Sequence, residues 1–287
     1  MKAALSFTDR FEVLADRYDV VLCDVWGVVH NSIVAFPQAA DALTRFRRNG
    51  GAVVLITNAP RPGSVVEHYL DKLGLPRASY DAIVASGDVT RGAIATRNGT
   101  IYHLGPARDL PIFAGLDVEF APPEHADFTV CTGLFNDDTE TPDDYRDLLA
   151  AMRARNMFML CANPDLVVER GEKLIYCAGA LADVYGALGG EVFCAGKPYA
   201  PIYKEALAKA QAALGTEVRR DRILAIGDSI RTDLKGARDF GVDFLFVTAG
   251  IHSEEFGGRD SPDPVVLAQA FRNAGAVPTA VTRRLAW

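Results

Sequence analysis

Apolar runs of strand length alternate with amphipathic stretches through the first part of the chain. The apolar runs lie at 20–23, 52–56, 82–85 and 100–104. Stretches with apolar residues at helical spacing lie between or after them, at 37–48, 64–73 and 88–96. Strands that alternate with helices in this way predict a mostly parallel sheet with helices on both of its faces.

The pattern changes in the middle of the chain. Two further strand runs, 128–131 and 158–162, flank a helix predicted over 142–155, and another helix is predicted over 178–188. These elements look like a smaller α/β unit that interrupts the first one.

The alternation of strands and helices resumes near the end of the insertion. Strands are predicted at 192–194, 222–226 and 244–247. The whole pattern predicts an α/β fold with a doubly wound, mostly parallel, Rossmann-like sheet. We assign 1–80 and 190–287 to this discontinuous core and 81–189 to an inserted α/β cap domain.

Composition narrows the class of protein. The 287 residues are 49% hydrophobic and 23% charged, as in ordinary globular proteins. The net charge of -7 argues against a protein that coats nucleic acid or an anionic membrane. The five cysteines form no C-x-x-C pair, and no apolar stretch is as long as a signal peptide or a membrane span. We therefore expect a cytoplasmic protein with reduced thiols.

Polar side chains stand where the predicted strands end. Asp24 directly follows the first apolar run, and Gly27 allows a sharp turn soon after it. Because the carboxyl ends of parallel strands share one edge of the sheet, such residues converge there although they are far apart in sequence. The remaining members of this set are Thr57, Asn58, Lys197, Asp228 and Asp233.

Three carboxylates, an ammonium, a hydroxyl and an amide suit a divalent cation that holds a phosphate. Carboxylates bind Mg²⁺, while a lysine and a hydroxyl take the remaining phosphoryl charge. The four charged residues of this set also have ordinary structural explanations. Asp24 and Asp228 fit a turn aspartate, Asp233 fits a helix N-cap, and Lys197 fits a solvated lysine before a turn.

The stretches that contain these residues resemble, in their order and spacing, the motifs of the haloacid dehalogenase-like (HAD) superfamily. The resemblance is to subclass IIA, the phosphatases whose cap is inserted between the second and third motifs. Residues 24–28 resemble the first motif, 56–58 the second, 196–198 the third and 227–233 the fourth. Two further stretches, 163–165 and 179–181, resemble the end of that subclass's cap.

The resemblance implies a role for each residue. Asp24 would be the nucleophile that forms an aspartyl-phosphate, and its carboxylate would also touch Mg²⁺. Thr57 would bind the phosphoryl oxygens and Asn58 would help to position the nucleophile. Lys197 would neutralise the charge between Asp24 and the phosphate.

The same resemblance implies the other metal ligands. Asp228 would bind Mg²⁺ directly, and Asp233 would bind it directly or through water. The backbone carbonyl of Trp26 would complete the protein's ligands, a role that tolerates any side chain.

Trp26 departs from the family pattern. Phosphatases of the superfamily carry an aspartate at this position, which acts as general acid and then as base. An indole offers only an N–H donor, and the loss of a general acid typically costs roughly 10²–10⁴-fold in rate. His30 is a candidate replacement, although a residue of a flap beside the site is the simpler explanation for it.

Our first hypothesis is a Mg²⁺-dependent phosphatase of small phosphorylated metabolites. A phosphoryl-binding or regulatory protein with little turnover is the first alternative, which Trp26 favours. A 2-haloacid dehalogenase is the second, because dehalogenases of the superfamily also carry an aromatic residue there. The two aspartates of the fourth motif argue against it, since carbon–halogen displacement needs no divalent cation. Self-association into a homo-oligomer is left open.

Overall fold

A computed structural model describes residues 5–170, 173–250, 256–258 and 262–287. In chain order, the strands of these residues are β1 (Val20–Asp24), β2 (Ala52–Thr57), β3 (Ala82–Ala85), β4 (Ile101–Leu104), β5 (Phe128–Cys131), β6 (Phe158–Cys161), β7 (Val167–Arg170), β8 (Lys173–Tyr176), β9 (Val192–Cys194), β10 (Ile223–Gly227), β11 (Asp243–Val247) and β12 (Ala280–Thr282).

The α-helices of the same residues are α1 (Glu12–Ala15), α2 (Pro37–Arg48), α3 (Gly63–Lys72), α4 (Ser86–Ala95), α5 (Arg146–Ala154), α6 (Ala178–Ala187), α7 (Ala200–Leu214), α8 (Lys235–Phe240) and α9 (Pro264–Asn273). Short 3₁₀ segments lie at Arg77–Ser79, Ala107–Phe113, Pro142–Tyr145 and Arg220–Arg222, and a π-helical turn lies at Ile230–Leu234. Within these ranges, no helix has the length and apolarity that crossing a membrane requires.

The chain divides into two compact units. The first unit comprises Met1–Thr57, Glu67–Val84 and Tyr203–Trp287, and the second comprises Asn58–Val66 and Ala85–Ile202. The boundaries that the sequence suggested for the core and the cap stay predictions.

A six-stranded sheet forms the first unit, in the order β12-β11-β10-β1-β2-β3. β1 lies near its centre and pairs in parallel with both β10 and β2. Every residue of β1 is buried, which explains why the strand reads as one apolar run rather than as an alternating pattern. The doubly wound α/β fold predicted from the sequence is confirmed.

Helix α2 shows how local sequence signals set an element of this unit. Pro37 occupies its first turn, where the missing N–H costs no hydrogen bond, and three arginines lie in its last turn. Gly50 follows with a φ of 93°, a conformation that glycine adopts readily. The helix therefore begins and ends where its sequence predicts.

A four-stranded parallel sheet forms the centre of the second unit, in the order β4-β5-β6-β9. Its register aligns Leu104 with Cys131, Cys131 with Cys161, and Cys161 with Cys194. Strands β7 and β8 form a separate antiparallel hairpin.

Strand pairing in the second sheet corrects one expectation. The strand predicted at 192–194 was assigned to the core at 190–287, yet β9 is an outer strand of the second sheet. Apolar periodicity identifies a strand but not its partner, because pairing is a long-range contact. The β7–β8 hairpin and β12 were missed, and the helix predicted over 142–155 starts as a 3₁₀ segment.

Two glycines of α6 lie in different surroundings. A Cβ on Gly179 would lie 2.3 Å from the carbonyl oxygen of Pro164 and 2.5 Å from that of Asp165. A Cβ on Gly186 would meet nothing within 4 Å. The close approach of α6 to the 164–165 backbone therefore requires glycine at 179 but not at 186.

We predict opposite effects for alanine at these two positions. Gly186→Ala should stabilise the protein by about 0.5–1 kcal/mol through helix propensity, whereas Gly179→Ala should destabilise it by about 1–3 kcal/mol through overpacking. Urea unfolding followed by circular dichroism would measure both variants. Stabilisation by both substitutions would show that the 164–165 backbone yields readily.

Candidate active site

Three carboxylates meet at the carboxyl end of the first unit's sheet. Asp24 ends β1, Asp228 follows β10, and Asp233 lies in the π-helical turn after it. One carboxylate oxygen from each lies within 4.8 Å of the others, and all three residues are buried. Because β1 and β10 are parallel neighbours, their ends deliver Asp24 and Asp228 to the same place.

Glycine backbone packs closely around this carboxylate cluster. A Cβ on Gly250 would lie 1.9 Å from Asp228 Oδ2, and a Cβ on Gly27 would lie 2.1 Å from the same atom. Gly27 also has a φ of 79°, which a larger residue rarely adopts. Gly27 is therefore required both for the turn that follows Asp24 and for the close approach of the backbone to Asp228.

Asp233 has one oxygen engaged by its own turn. Its Oδ2 accepts a hydrogen bond of 3.2 Å from the backbone N–H of Ser229. The Oγ of Ser229 in turn accepts one of 3.4 Å from the N–H of Thr232. These local bonds hold the Asp233 carboxylate at the start of α8 and define the geometry of the turn.

The donor set of the cluster fits a hard divalent cation. Three ionised carboxylates at this separation repel one another strongly in a buried site, and a bound cation would offset that repulsion. The donors are oxygens alone, which is the set that Mg²⁺ prefers over softer metals.

Thr57 is the half-buried last residue of β2. The register pairs Asp24 with Ile56, so Thr57 follows directly after the partner of Asp24. Its position at the carboxyl end of the sheet agrees with the edge at which the sequence placed it.

The segment after Asp24 forms a tight loop organised by Ser32. The Nε1–H of Trp26 donates to Ser32 Oγ at 2.9 Å, and the N–H of Ser32 donates to His30 Nδ1 at 2.8 Å. The hydroxyl of Tyr69 donates to the carbonyl of Ser32 at 3.2 Å. Ser32 itself has a φ of 69°, so it links all three side chains from a conformation that few residues adopt.

His30 is a buried, neutral imidazole in this loop. Its burial lowers its pKa from 6.5 to about 4. Its Nδ1 accepts the hydrogen bond from Ser32, which places the proton of the neutral ring on Nε2. A neutral imidazole is a weak acid at pH 7, so these contacts support a structural role for His30 rather than that of a proton donor.

The second unit brings Asn58 and Lys197 together. Asn58 Oδ1 accepts a hydrogen bond of 2.7 Å from the backbone N–H of Lys197, and its Nδ2 donates to the Lys197 carbonyl at 3.1 Å. Nδ2 also donates to Asp165 Oδ1 at 2.9 Å. The sequence suggested a role for Asn58 beside the nucleophile, and did not reveal its contact with the Lys197 backbone.

Close packing at Gly196 makes the contact between Asn58 and Lys197 achievable. A Cβ at this position would lie 2.3 Å from Asn58 Oδ1 and 2.8 Å from Ser86 Oγ. Lys197 itself is buried. Glycine before the lysine is therefore a packing requirement as well as part of the motif.

Sequence reasoning underestimated Asp165 and did not consider Ser32. The resemblance assigned 163–165 to the end of the cap but gave no partner for Asp165. Ser32 carries no sequence signal, because its importance lies in the three side chains that fold around it.

The parallel sheet and the buried carboxylates at its edge define an α/β protein with an acidic site. Residues 21–119 match the family described as haloacid dehalogenase-like hydrolase, and residues 194–274 match the family described as HAD-hydrolase-like. A crystal structure of a hydrolase of the haloacid dehalogenase-like family from Brucella suis 1330 is 46% identical. The alignment covers 97% of this chain and 100% of that one, with a TM-score of 0.87. The chain belongs to the haloacid dehalogenase-like family, as its motifs predicted.

Two more distant proteins are similar over most of their length. Ribonucleotide monophosphatase NagD of Escherichia coli K12 is 27% identical over 246 residues, which are 81% of this chain and 88% of NagD. A p-nitrophenyl phosphatase from Archaeoglobus fulgidus has a TM-score of 0.71 at 20% identity, covering 92% of this chain and 95% of that one. The latter likeness shows a shared fold.

We predict that His30 makes the protein less stable as the pH falls. Its folded pKa lies below the ordinary value of 6.5, so the unfolded chain takes up the proton first and stability is lost from pH 6.5 down to about 4. Between pH 7 and pH 5 the wild type should lose about 2 kcal/mol more than His30→Gln, which keeps an acceptor but does not titrate.

Urea unfolding at the two pH values would measure this difference. His68→Gln is the matched control, because it makes the same change of side chain at an exposed position of α3. Equal pH dependence in His30→Gln and the wild type would contradict the assignment.

Proposed function

We propose that this protein is a Mg²⁺-dependent phosphatase of small phosphorylated metabolites. The observation that carries the proposal is the buried cluster of Asp24, Asp228 and Asp233 in a chain of the haloacid dehalogenase-like family. The name of the 27% identical relative, a ribonucleotide monophosphatase, supports phosphate monoesters as the substrate class.

Asp24 acts as the nucleophile in this proposal. Its carboxylate oxygen attacks the phosphorus, the bond from phosphorus to the leaving-group oxygen breaks, and an aspartyl-phosphate forms. Water then attacks that phosphorus, which releases inorganic phosphate and regenerates the carboxylate. The burial of Asp24 at a strand end supports this role, because it limits the side chain to few orientations.

Thr57 and Lys197 bind the transferred group. The Thr57 hydroxyl donates to a phosphoryl oxygen, and the Lys197 ammonium balances the charge that phosphate and nucleophile share. Asn58 and the Lys197 backbone exchange two hydrogen bonds, which support a fixed position for the residue that carries this cation.

Mg²⁺ would be held by the carboxylates of Asp24, Asp228 and Asp233 and by the backbone carbonyl of Trp26. When bound, the ion neutralises phosphoryl charge and lowers the repulsion between nucleophile and phosphate. The inserted unit, predicted over 81–189, serves as the cap that excludes water and selects the substrate.

With Trp26 at this position, the loop after Asp24 offers no proton donor to the leaving group. Its indole N–H donates to Ser32, and His30 is neutral at pH 7 because its pKa is about 4. The proposed enzyme therefore favours substrates whose leaving groups depart as stable anions. This feature also supports the second candidate, a phosphoryl-binding protein with little turnover.

We predict that Asp24→Asn abolishes phosphatase activity while the fold persists. The change is nearly isosteric and removes the nucleophilic charge, so hydrolysis of p-nitrophenyl phosphate with Mg²⁺ should fall by more than about 10³-fold. Steady-state assays with and without Mg²⁺ would measure the loss. Activity near that of the wild type, with deamidation excluded by mass spectrometry, would rule out Asp24 as the nucleophile.

We predict a steep dependence of rate on the leaving group. Aryl and acyl phosphates lose their leaving groups without much protonation, whereas sugar alkoxides need a proton in the transition state. If hydrolysis of the aspartyl-phosphate limits turnover instead, a burst of released phenol should appear. Rates across phosphates of graded leaving-group pKa would show which case holds.

Two variants of Trp26 test whether this residue causes the dependence on the leaving group. Trp26→Asp should speed hydrolysis of alkyl phosphates if its carboxylate reaches the leaving group. Trp26→Phe is the matched control, which keeps an aromatic ring without the N–H and should leave the slope unchanged. Fast, burst-free hydrolysis of an alkyl phosphate by the wild type would show that another residue supplies the proton.

A further inference from the structure

The Asn58 side chain is held in one orientation by the groups around it. Its Nδ2 donates to Asp165 Oδ1 and to the Lys197 carbonyl, while its Oδ1 accepts from the Lys197 N–H. An ionised carboxylate accepts hydrogen bonds and cannot donate them. Asp165 therefore adds a second acceptor on the NH₂ side of the amide and reinforces the orientation that directs Oδ1 at the Lys197 N–H.

The turn that carries Asp165 is itself firmly placed. Asn163 Oδ1 accepts a hydrogen bond of 3.1 Å from the N–H of Asp165. Gly179 of α6 approaches the backbone so closely that a Cβ would lie 2.5 Å from the Asp165 carbonyl oxygen. Asp165 is therefore a rigid support rather than part of a freely moving loop.

Strand pairing explains why Asp165 and Lys197 approach the same amide. β6 and β9 are parallel neighbours, and Cys161 at the end of β6 is aligned with Cys194 at the end of β9. Asp165 and Lys197 follow those two ends by only a few residues. Their positions therefore depend on the sheet of the second unit.

We propose that Asp165 is a positioning residue that fixes Lys197 by orienting the Asn58 amide. Asp165 holds the NH₂ group of Asn58, and the amide then holds the lysine backbone through two hydrogen bonds that resemble a pair in a β-ladder. The consequence for catalysis rests on the proposed function, in which Lys197 binds the phosphoryl group. The contact itself can be tested without any activity.

Four variants separate orientation from charge and from general stability. Asp165→Ala removes the acceptor, while Asp165→Asn keeps an acceptor oxygen and removes the charge. Asn58→Asp is nearly isosteric but places an oxygen against two acceptors, so it should disrupt the contact most. Asp147→Ala is the control, since Asp147 is an exposed aspartate on α5 of the same unit.

Hydrogen exchange of the Lys197 backbone amide, followed by NMR, is the primary measurement. Asp165→Ala should speed exchange by about 10- to 100-fold, the effect of losing one hydrogen bond to a charged group. Asp165→Asn should stay within about threefold of the wild type, and Asn58→Asp should exchange faster than either. Asp147→Ala should not change it.

Hydrolysis of p-nitrophenyl phosphate is the second measurement. Asp165→Ala should lower kcat/KM by about 10- to 100-fold, and Asp165→Asn should restore most of it. Lys197→Ala, assayed in parallel, tests the proposed function by itself, because it should abolish turnover whatever Asp165 does.

Unchanged Lys197 exchange in Asp165→Ala would overturn the proposal, whatever the activity. Faster exchange with unchanged kcat/KM, in a protein that Lys197→Ala inactivates, would also overturn it, because the contact would then be structural only. If Lys197→Ala retains full activity, the proposed role of Lys197 fails, while the exchange result still decides the contact.

Discussion

The convergence of three buried carboxylates at one edge of the sheet is the constraint on which the candidate site depends. Asp24, Asp228 and Asp233 place oxygens within 4.8 Å of one another, an arrangement that costs free energy unless a cation or another positive charge offsets it. The parallel pairing of β1 with β10 maintains this arrangement through backbone hydrogen bonds and buried apolar contacts. The sheet thus brings together carboxylates that lie far apart in the sequence.

In the second unit, the Asn58 amide holds the Lys197 backbone through hydrogen bonds. Lys197 follows β9 on a short connection, and a lysine backbone on such a segment would otherwise sample several conformations. The Asn58 amide restricts it through two hydrogen bonds, and Gly196 leaves the space for that approach. Asp165 adds a second acceptor for the NH₂ group and so reinforces the orientation of the amide. Position is set here by hydrogen-bond directionality rather than by charge alone.

The loop after Asp24 illustrates how a departure from a family pattern is accommodated. Trp26 lies where the resemblance implies a proton-transferring aspartate, and its N–H donates to Ser32. His30 is close in sequence, but burial lowers its pKa to about 4 and keeps it uncharged at neutral pH. The loop is therefore built for fixed geometry, with Ser32 as its centre, and chemistry that depends on a mobile proton must find its donor elsewhere.

The sequence by itself determined the α/β class, nine of the twelve strands found in the described residues, and the family, because apolar periodicity and short motifs are local signals. It also predicted that Asp24, Asp228 and Asp233 meet, since carboxyl ends of parallel strands share an edge. Only the tertiary structure decided that β9 pairs with β6 in the second sheet, that Asn58 holds the Lys197 backbone, and that Ser32 links Trp26 to His30. Each of these depends on strand partners or side-chain orientations, which arise from contacts between residues that no local pattern encodes.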